Sequence, residues 1–159
     1  MRFLVISDTH DNVNAIRDLI KEVKKEKLDF VVHAGDVISP FAIRELEGLG
    51  KIAEKIYIAF GNNDGDREKL MEIAISRGWV IGDIVTFPTG CAYHGTNPNM
   101  VKMLSKRYEF VIRGHTHRRG VERIEGEATV VNPGEVCGYL TGVRSYAMVE
   151  GLEVSFIEF

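Results

Sequence analysis

"RFLVISDTHDN", residues 2–12, sets the reading of everything that follows. "RFLVIS" has the apolar run of a buried strand, "DTHDN" is a polar break, and a helix follows in which Ile16, Leu19, Ile20 and Val23 fall at helical spacing. The opposite face of that helix, "KEVKKEK" (21–27), is solvated charge. The same order then recurs. "LDFVVHAG" (28–35) is a second apolar strand, and Ser39-Pro40 supplies an N-cap and a first-turn proline for a short helix ending at "GLG" (48–50). "KIYIAFG" (55–61) is a third strand, after which Asp66 caps the helix "REKLMEIAISRG" (67–78). Strand and helix in alternation predict a parallel sheet with right-handed crossovers.

From about Val80 the pattern changes to short strands separated by turns. "VIGDIVTF" (80–87) and "GCAYHG" (90–95) lead to a helix expected over Asn97 to Tyr108, then "EFVIRG" (109–114). The remainder reads as two hairpins, turning at "EGE" (125–127) and "EGL" (150–152). Antiparallel strands therefore join a parallel core. The expected fold is α/β: a four-layer α/β/β/α sandwich of two mixed sheets flanked by helices, whose apolar strands are covered on both faces. The order of the strands is not legible at this level.

Composition narrows the function classes. A chain of 159 residues with 45% hydrophobic and 27% charged residues fits one folded domain over 1–159, with a core of its own. The net charge of −3 provides no basic footprint and argues against nucleic acid as a partner. No apolar run has the length of a membrane span, and the N-terminal strand lacks the features of a signal peptide, so the expected location is cytoplasmic. Cys91 and Cys137 lie far apart with no CxxC pattern and read as buried free thiols.

The chain has five histidines. Four of them, with the acidic and amide residues that accompany them, stand where strands end. "FLVIS" runs into Asp8 and His10, "FVVHAG" into Asp36, "YIAFG" into Asn62, "CAY" into His94, and "FVIRG" into His115 and His117. In α/β sheets the carboxyl ends of parallel strands converge on one rim. Asp, His and Asn gathered there stay unsatisfied unless a cation joins them, and all three suit divalent metals. The donor count suggests two ions, which in a cocatalytic pair sit roughly 3.5–4 Å apart and need a bridging carboxylate. The expected assignment is Asp8, His10, Asp36 and His117 around the first ion, and Asp36, Asn62, His94 and His115 around the second. Two aspartates against two dications leave a formal charge of about +2, suited to phosphate and to a bridging hydroxide.

"DTH", "GD", "GNND", "HG" and "GHTH", in this order after apolar strands, resemble the calcineurin-like metallophosphoesterase family, especially its small single-domain phosphodiesterase branch. "NPG" at 132–134 is also similar to that branch. The resemblance implies the four-layer sandwich and two divalent transition-metal ions, manganese first, with nickel, iron or zinc as alternatives. It further implies a metal-bridging hydroxide attacking phosphorus in line. The substrate class is a small phosphoester, a diester before a monoester.

Two positions depart from the family pattern. Asn63 stands where many members carry the histidine that protonates the leaving group, and Glu135 stands where relatives commonly have serine. Asn63 and Asp64 are therefore the catalytic candidates beside the ions, and Asn62 and Arg118 the substrate-binding candidates. Arg113 and Arg119 also flank the histidine pair, His33 reads as a hydrogen-bonded structural histidine, and Asn12 as a helix cap. The competing reading is a non-catalytic interaction scaffold on the same fold, which resembles the retromer subunit; a nuclease shares the chemistry but lacks a basic stripe. A homo-oligomer stays open.

Overall fold

The computed structural model describes residues 1–123 and 126–159. Strand β1 (Arg2–Ile6) is buried from Phe3 onward and pairs in parallel with β2 (Phe30–His33), all of whose residues are buried. β2 pairs in parallel with β3 (Ile56–Ala59), and β3 with β4 (Val80–Gly82). On the other side of β1 lies the antiparallel hairpin of β10 (Ser145–Glu150) and β11 (Glu153–Glu158). This sheet therefore runs β11-β10-β1-β2-β3-β4.

The second sheet has β6 (Gly90–Tyr93), β7 (Phe110–Ile112) and β9 (Thr129–Asn132) in parallel, edged by antiparallel β5 (Ile84–Phe87) and β8 (Gly120–Arg123). "VIGDIVTF" thus divides between the sheets: β4 ends at Gly82 in the first, and β5 begins at Ile84 in the second. The expected "EGL" turn joins β10 to β11 with Glu150 opposite Glu153. The expected "EGE" turn includes Glu125, which lies outside the described residues; on either side of it β8 and β9 pair antiparallel.

Side-chain alternation along the strands explains the layers. Leu4, Ile6, Val31, Ile56 and Ile58 face helices α1 (Val13–Val23), α2 (Pro40–Glu45), α3 (Glu47–Gly50) and α4 (Arg67–Ser76), where they meet Ile16, Leu19, Ile43, Leu49 and Leu70. Phe3, Val5, Phe30 and Val32 face the other way and pack on Phe87, Phe110, Ile112 and Val131 of the second sheet. Phe3 stacks on Phe30 at 4.6 Å between ring centroids and meets Phe110 edge-on at 5.9 Å. Helix α5 (Pro98–Ser105) closes the far side, with Val101 and Leu104 on Cys91, Val111 and Val130. The architecture is the α/β/β/α sandwich.

Local chemistry also follows the sequence. Asn12, Ser39 and Asp66 cap α1, α2 and α4 through their side-chain oxygens. Trp79 is a core residue, and both cysteines are free and buried. No helix is long and apolar enough to cross a membrane among the described residues.

Candidate metal centre

The carboxyl ends of β1, β2 and β3 lie side by side in one sheet, and those of β6 and β7 in the sheet packed against it. Backbone hydrogen bonds lace the loops together: Asp8 N–H donates to Gly35 O and His10 N–H to Asp36 O, both at 3.0 Å, while Gly114 N–H donates to His94 O at 3.0 Å. His115 N–H donates to Asp8 Oδ2 at 3.2 Å, which ties the second sheet's loop to the first sheet's. Two glycines permit this approach. A side chain at Gly61 would collide with the Asp36 carboxylate, and one at Gly114 with Ser7 Oγ and Asp8 Oδ2.

The backbone here is strained. Asp8, His10, Asp36, His115 and His117 all have positive φ, between 42° and 67°. Such conformations cost about 1–3 kcal/mol each and persist where surrounding bonds over-determine them, which is typical of functional sites.

The side chains form two overlapping groups. His117 Nε2 lies 3.3 Å and His10 Nε2 3.6 Å from Asp8 Oδ1. His10 Nε2 and His94 Nε2 each lie 3.3 Å from Asp36 Oδ2. The donor atoms of Asp8, His10 and His117 all fall within 4.8 Å of one another, as do those of Asp8, Asp36 and His94. Asp8 Oδ1, His10 Nε2 and His94 Nε2 are buried and have no hydrogen-bond partner. An orphaned buried polar atom costs about 1–3 kcal/mol, and several converging on common points form the environment that a divalent cation satisfies. The residues present fit such ions.

The two remaining ligand candidates stand on the open side. Asn62 Oδ1 and His115 Nδ1 are 3.0 Å apart, and both residues are exposed. His115 leans over His94 with ring centroids 5.3 Å apart, while His117 lies 5.0 Å from His10. The "HTH" turn therefore sends one imidazole to each side of the cluster. Asn63 donates to both oxygens of Asp36, through its backbone N–H and its side-chain amide, each at 2.9 Å. Asp64 accepts at 2.7 Å from Ile38 N–H and from Gly61 N–H, bracing a turn in which the β-branched Ile38 has φ of 85°. Arg118 is exposed and lines a cleft of about 580 Å³ with Arg113 and Arg119; Arg119 also pairs with Glu158 at 2.5 Å. His33 is fully buried, accepts from Gly35 N–H at Nδ1 and bonds Thr9 Oγ1 at Nε2, a saturated structural role.

Charge follows geometry. Burial pushes the Asp36 carboxyl upward, but His94 and the two Asn63 donors outweigh it and hold the group well below the usual carboxylate range. The nearby Asp8 carboxylate, with Asp36, raises His10 against opposing burial. Burial lowers His94, but the Asp36 carboxylate beside it, with Asp8, leaves the ring raised. Burial first, with His94 and His10 nearby, lowers His33 to about 4, in keeping with a neutral ring.

These shifts define a competition between protons and metal, since a ligating nitrogen must be unprotonated. The raised His10 and His94 both favour the proton in the metal-free protein around pH 6.5, the ordinary histidine value. Manganese binding at that pH should release protons, and affinity should fall as pH drops. Titration calorimetry in buffers of different ionisation enthalpy measures the release; a binding enthalpy independent of buffer would contradict it.

One residue whose role is not legible in the sequence lies directly behind this cluster. Glu135, fully buried, bonds His117 Nδ1 at 2.5 Å. Its signals in the sequence are its position immediately after "NPG" and its departure from the serine common in relatives. His117, Glu135 and Cys137 also bring donor atoms within 4.8 Å of one another. There the thiol, pushed up to about 12 by burial first, stays protonated and donates to Glu135 Oε2 at 3.1 Å. That trio is a hydrogen-bonded group already closed upon itself.

The profile of the calcineurin-like phosphoesterase superfamily domain matches residues 1–153. The chain belongs to this superfamily. A phosphodiesterase from Methanocaldococcus jannaschii is 36% identical over 158 residues, covering 94% of this chain and 93% of that protein. The solved structure of an archaeal phosphodiesterase superposes with a TM-score of 0.89 at 34% identity, covering both chains completely. A Vps29 structure from Entamoeba histolytica superposes with a TM-score of 0.72 at 15% identity, covering 100% of this chain and 99% of that one. The last similarity is one of fold alone. Within the calcineurin-like phosphoesterases, function must therefore be argued from the site.

Proposed function

We propose that this calcineurin-like phosphoesterase is a binuclear metal-dependent phosphodiesterase, a single domain over residues 1–159 acting in the cytoplasm on a small phosphoester. The observation that carries the reading is the pair of donor groups, Asp8–His10–His117 and Asp8–Asp36–His94, which share Asp8 and are linked through Asp36 Oδ2, with Asp8 Oδ1, His10 Nε2 and His94 Nε2 left without hydrogen-bond partners. Asp8, His10, Asp36 and His117 would hold one ion, and Asp36, Asn62, His94 and His115 the other. Bound there, two divalent ions, manganese before nickel, iron or zinc, supply positive charge for the phosphoryl oxygens and lower the pKa of water, so that a nucleophile for in-line attack is available near neutral pH. The phosphodiesterase relatives support the diester preference.

The chain's own residues orient this chemistry. Asn63 holds both oxygens of Asp36 and so presents that carboxylate to both sides. Asp64 acts through the backbone that carries Asp36, since each of its oxygens already accepts an amide. Asn62, exposed beside His115, stands at the open side where phosphoryl oxygens would be met, and exposed Arg118, which shares a neighbouring cleft with His117, is the second substrate-binding candidate. No imidazole stands at Asn63 to protonate the leaving group. General acid catalysis contributes about 10²–10⁴-fold and matters most for basic leaving groups.

The test is hydrolysis by manganese-loaded protein of diesters and monoesters with graded leaving-group pKa. Rates should favour diesters and fall steeply as the leaving group becomes more basic, and Asn63→His should flatten that slope. A shallow slope in the native protein would place a general acid elsewhere. Tightly bound ions with no hydrolysis of any ester would favour the scaffold reading that the Vps29 likeness raises.

A further inference from the structure

We infer that Glu135 is a positioning residue for His117, fixing the tautomer and aim of that ring while the same carboxylate anchors the turn at residues 139–141. The inference rests on the reading that His117 holds a metal ion. Glu135 has no exposed surface, and its oxygens are crowded with donors. Oε2 takes His117 Nδ1 at 2.5 Å, Cys137 Sγ at 3.1 Å and Tyr139 N–H at 3.1 Å. Oε1 takes Thr141 N–H at 2.6 Å and Thr141 Oγ1 at 2.7 Å, and Leu140 N–H reaches both oxygens at 3.1 and 3.2 Å. A carboxylate offers about four lone-pair sites, so none remains for water or substrate. Glu135 can act only through what it holds.

What it holds on one side is the ligand ring. A carboxylate facing Nδ1 keeps the proton there, which leaves the lone pair on Nε2, the atom 3.3 Å from Asp8 Oδ1. Without that acceptor the ring is free to carry its proton on Nε2, or to turn, and either removes the donor from the ion. His94 is set in the same tautomer by a weaker partner, the Ala34 carbonyl at 2.7 Å from its Nδ1. A charged acceptor makes the ring behind it a stronger electron donor than a carbonyl does. The two halves of the centre are thus unequal.

On the other side it holds a turn that returns to the site by a second route. Cys137 N–H donates to Asp8 O at 3.1 Å, and Asn12 Nδ2 donates to Cys137 O at 3.0 Å. Tyr139 and Leu140, 62% and 74% exposed, contribute nothing to the core that would order this turn otherwise. The carboxylate is the common anchor of the turn and of His117.

The experiment compares E135Q with T141V by manganese titration and by the visible spectrum of the cobalt-substituted protein. T141V removes a turn contact and leaves the bond from Glu135 to His117 intact. Mutating an outer partner of a ligand typically costs about 10–100-fold in metal affinity. E135Q should weaken one of two ions by that factor and shift the cobalt bands, while the other ion and T141V bind as in the native protein. Equal weakening in E135Q and T141V would assign Glu135 to the turn alone and overturn the inference, as would native binding and spectrum in E135Q. If E135Q does not fold, E135D supplies the test: it keeps the charge but shortens the reach to His117, and should lose affinity for the same ion. Native affinity in E135D would overturn the assignment. A native protein that binds no ion would defeat the functional reading itself, a result distinct from native binding unaffected by the variants.

Discussion

Asp36→Ala should reduce turnover more than any other single ligand change, beyond the roughly 10–100-fold typical of losing an outer-shell partner. His10 Nε2 and His94 Nε2, one from each donor group, both face Asp36 Oδ2 at 3.3 Å, so this carboxylate stands between the two groups. Removing it withdraws a ligand from both proposed ions at once and strips Asn63 of the acceptor for both its hydrogen bonds. Asn62→Ala, by contrast, touches only the exposed side, where the amide meets His115. Elemental analysis of the purified variants separates the two: Asp36→Ala should lose both ions, Asn62→Ala at most one. An Asp36→Ala protein with two bound ions and near-native turnover would refute the bridging assignment.

Removal of the metals should abolish hydrolysis and lower thermal stability together. A ligand present at a hundred times its Kd stabilises the folded state by about 2.7 kcal/mol. For a domain of this size each kcal/mol is worth about 2–4 °C in Tm, so each ion should contribute roughly 5–10 °C. The orphaned donors give the physical reason: Asp8 Oδ1, His10 Nε2 and His94 Nε2 are held out of water without partners in the metal-free chain. A thermal scan with manganese, with chelator and after readdition measures the effect, and activity should return on readdition. A Tm indifferent to manganese and chelator, or full activity in stripped protein, would exclude a preformed metal centre of this kind.

Much of the fold was legible because it depends on relations within a few residues. Apolar runs bounded by polar breaks marked the strands, and Asn12, Ser39 and Asp66 could be read as caps because a cap serves amides two or three residues ahead. The candidate metal donors were legible for a related reason. Parallel strands deliver whatever follows their carboxyl ends to one rim, so Asp8, Asp36, Asn62, His94, His115 and His117 could be placed near one another before their distances were known.

What local pattern could not decide was set by packing between distant segments. "VIGDIVTF" contains no signal that β4 belongs to one sheet and β5 to the other; that division follows from the neighbours available to each strand. Asp64 looked like a free carboxylate beside a ligand, yet the fold sets the amides of Gly61 and Ile38 against its two oxygens. Glu135 looked like a departure in a loop, and the pairing of β9 beside β7 in the second sheet brings it to His117, 18 residues away in the chain. Strand ends and helix caps are written in short-range chemistry, which the sequence by itself determines. The partners of a buried polar group are decided by the tertiary structure, because an atom removed from water must bond whatever the packed chain brings within reach.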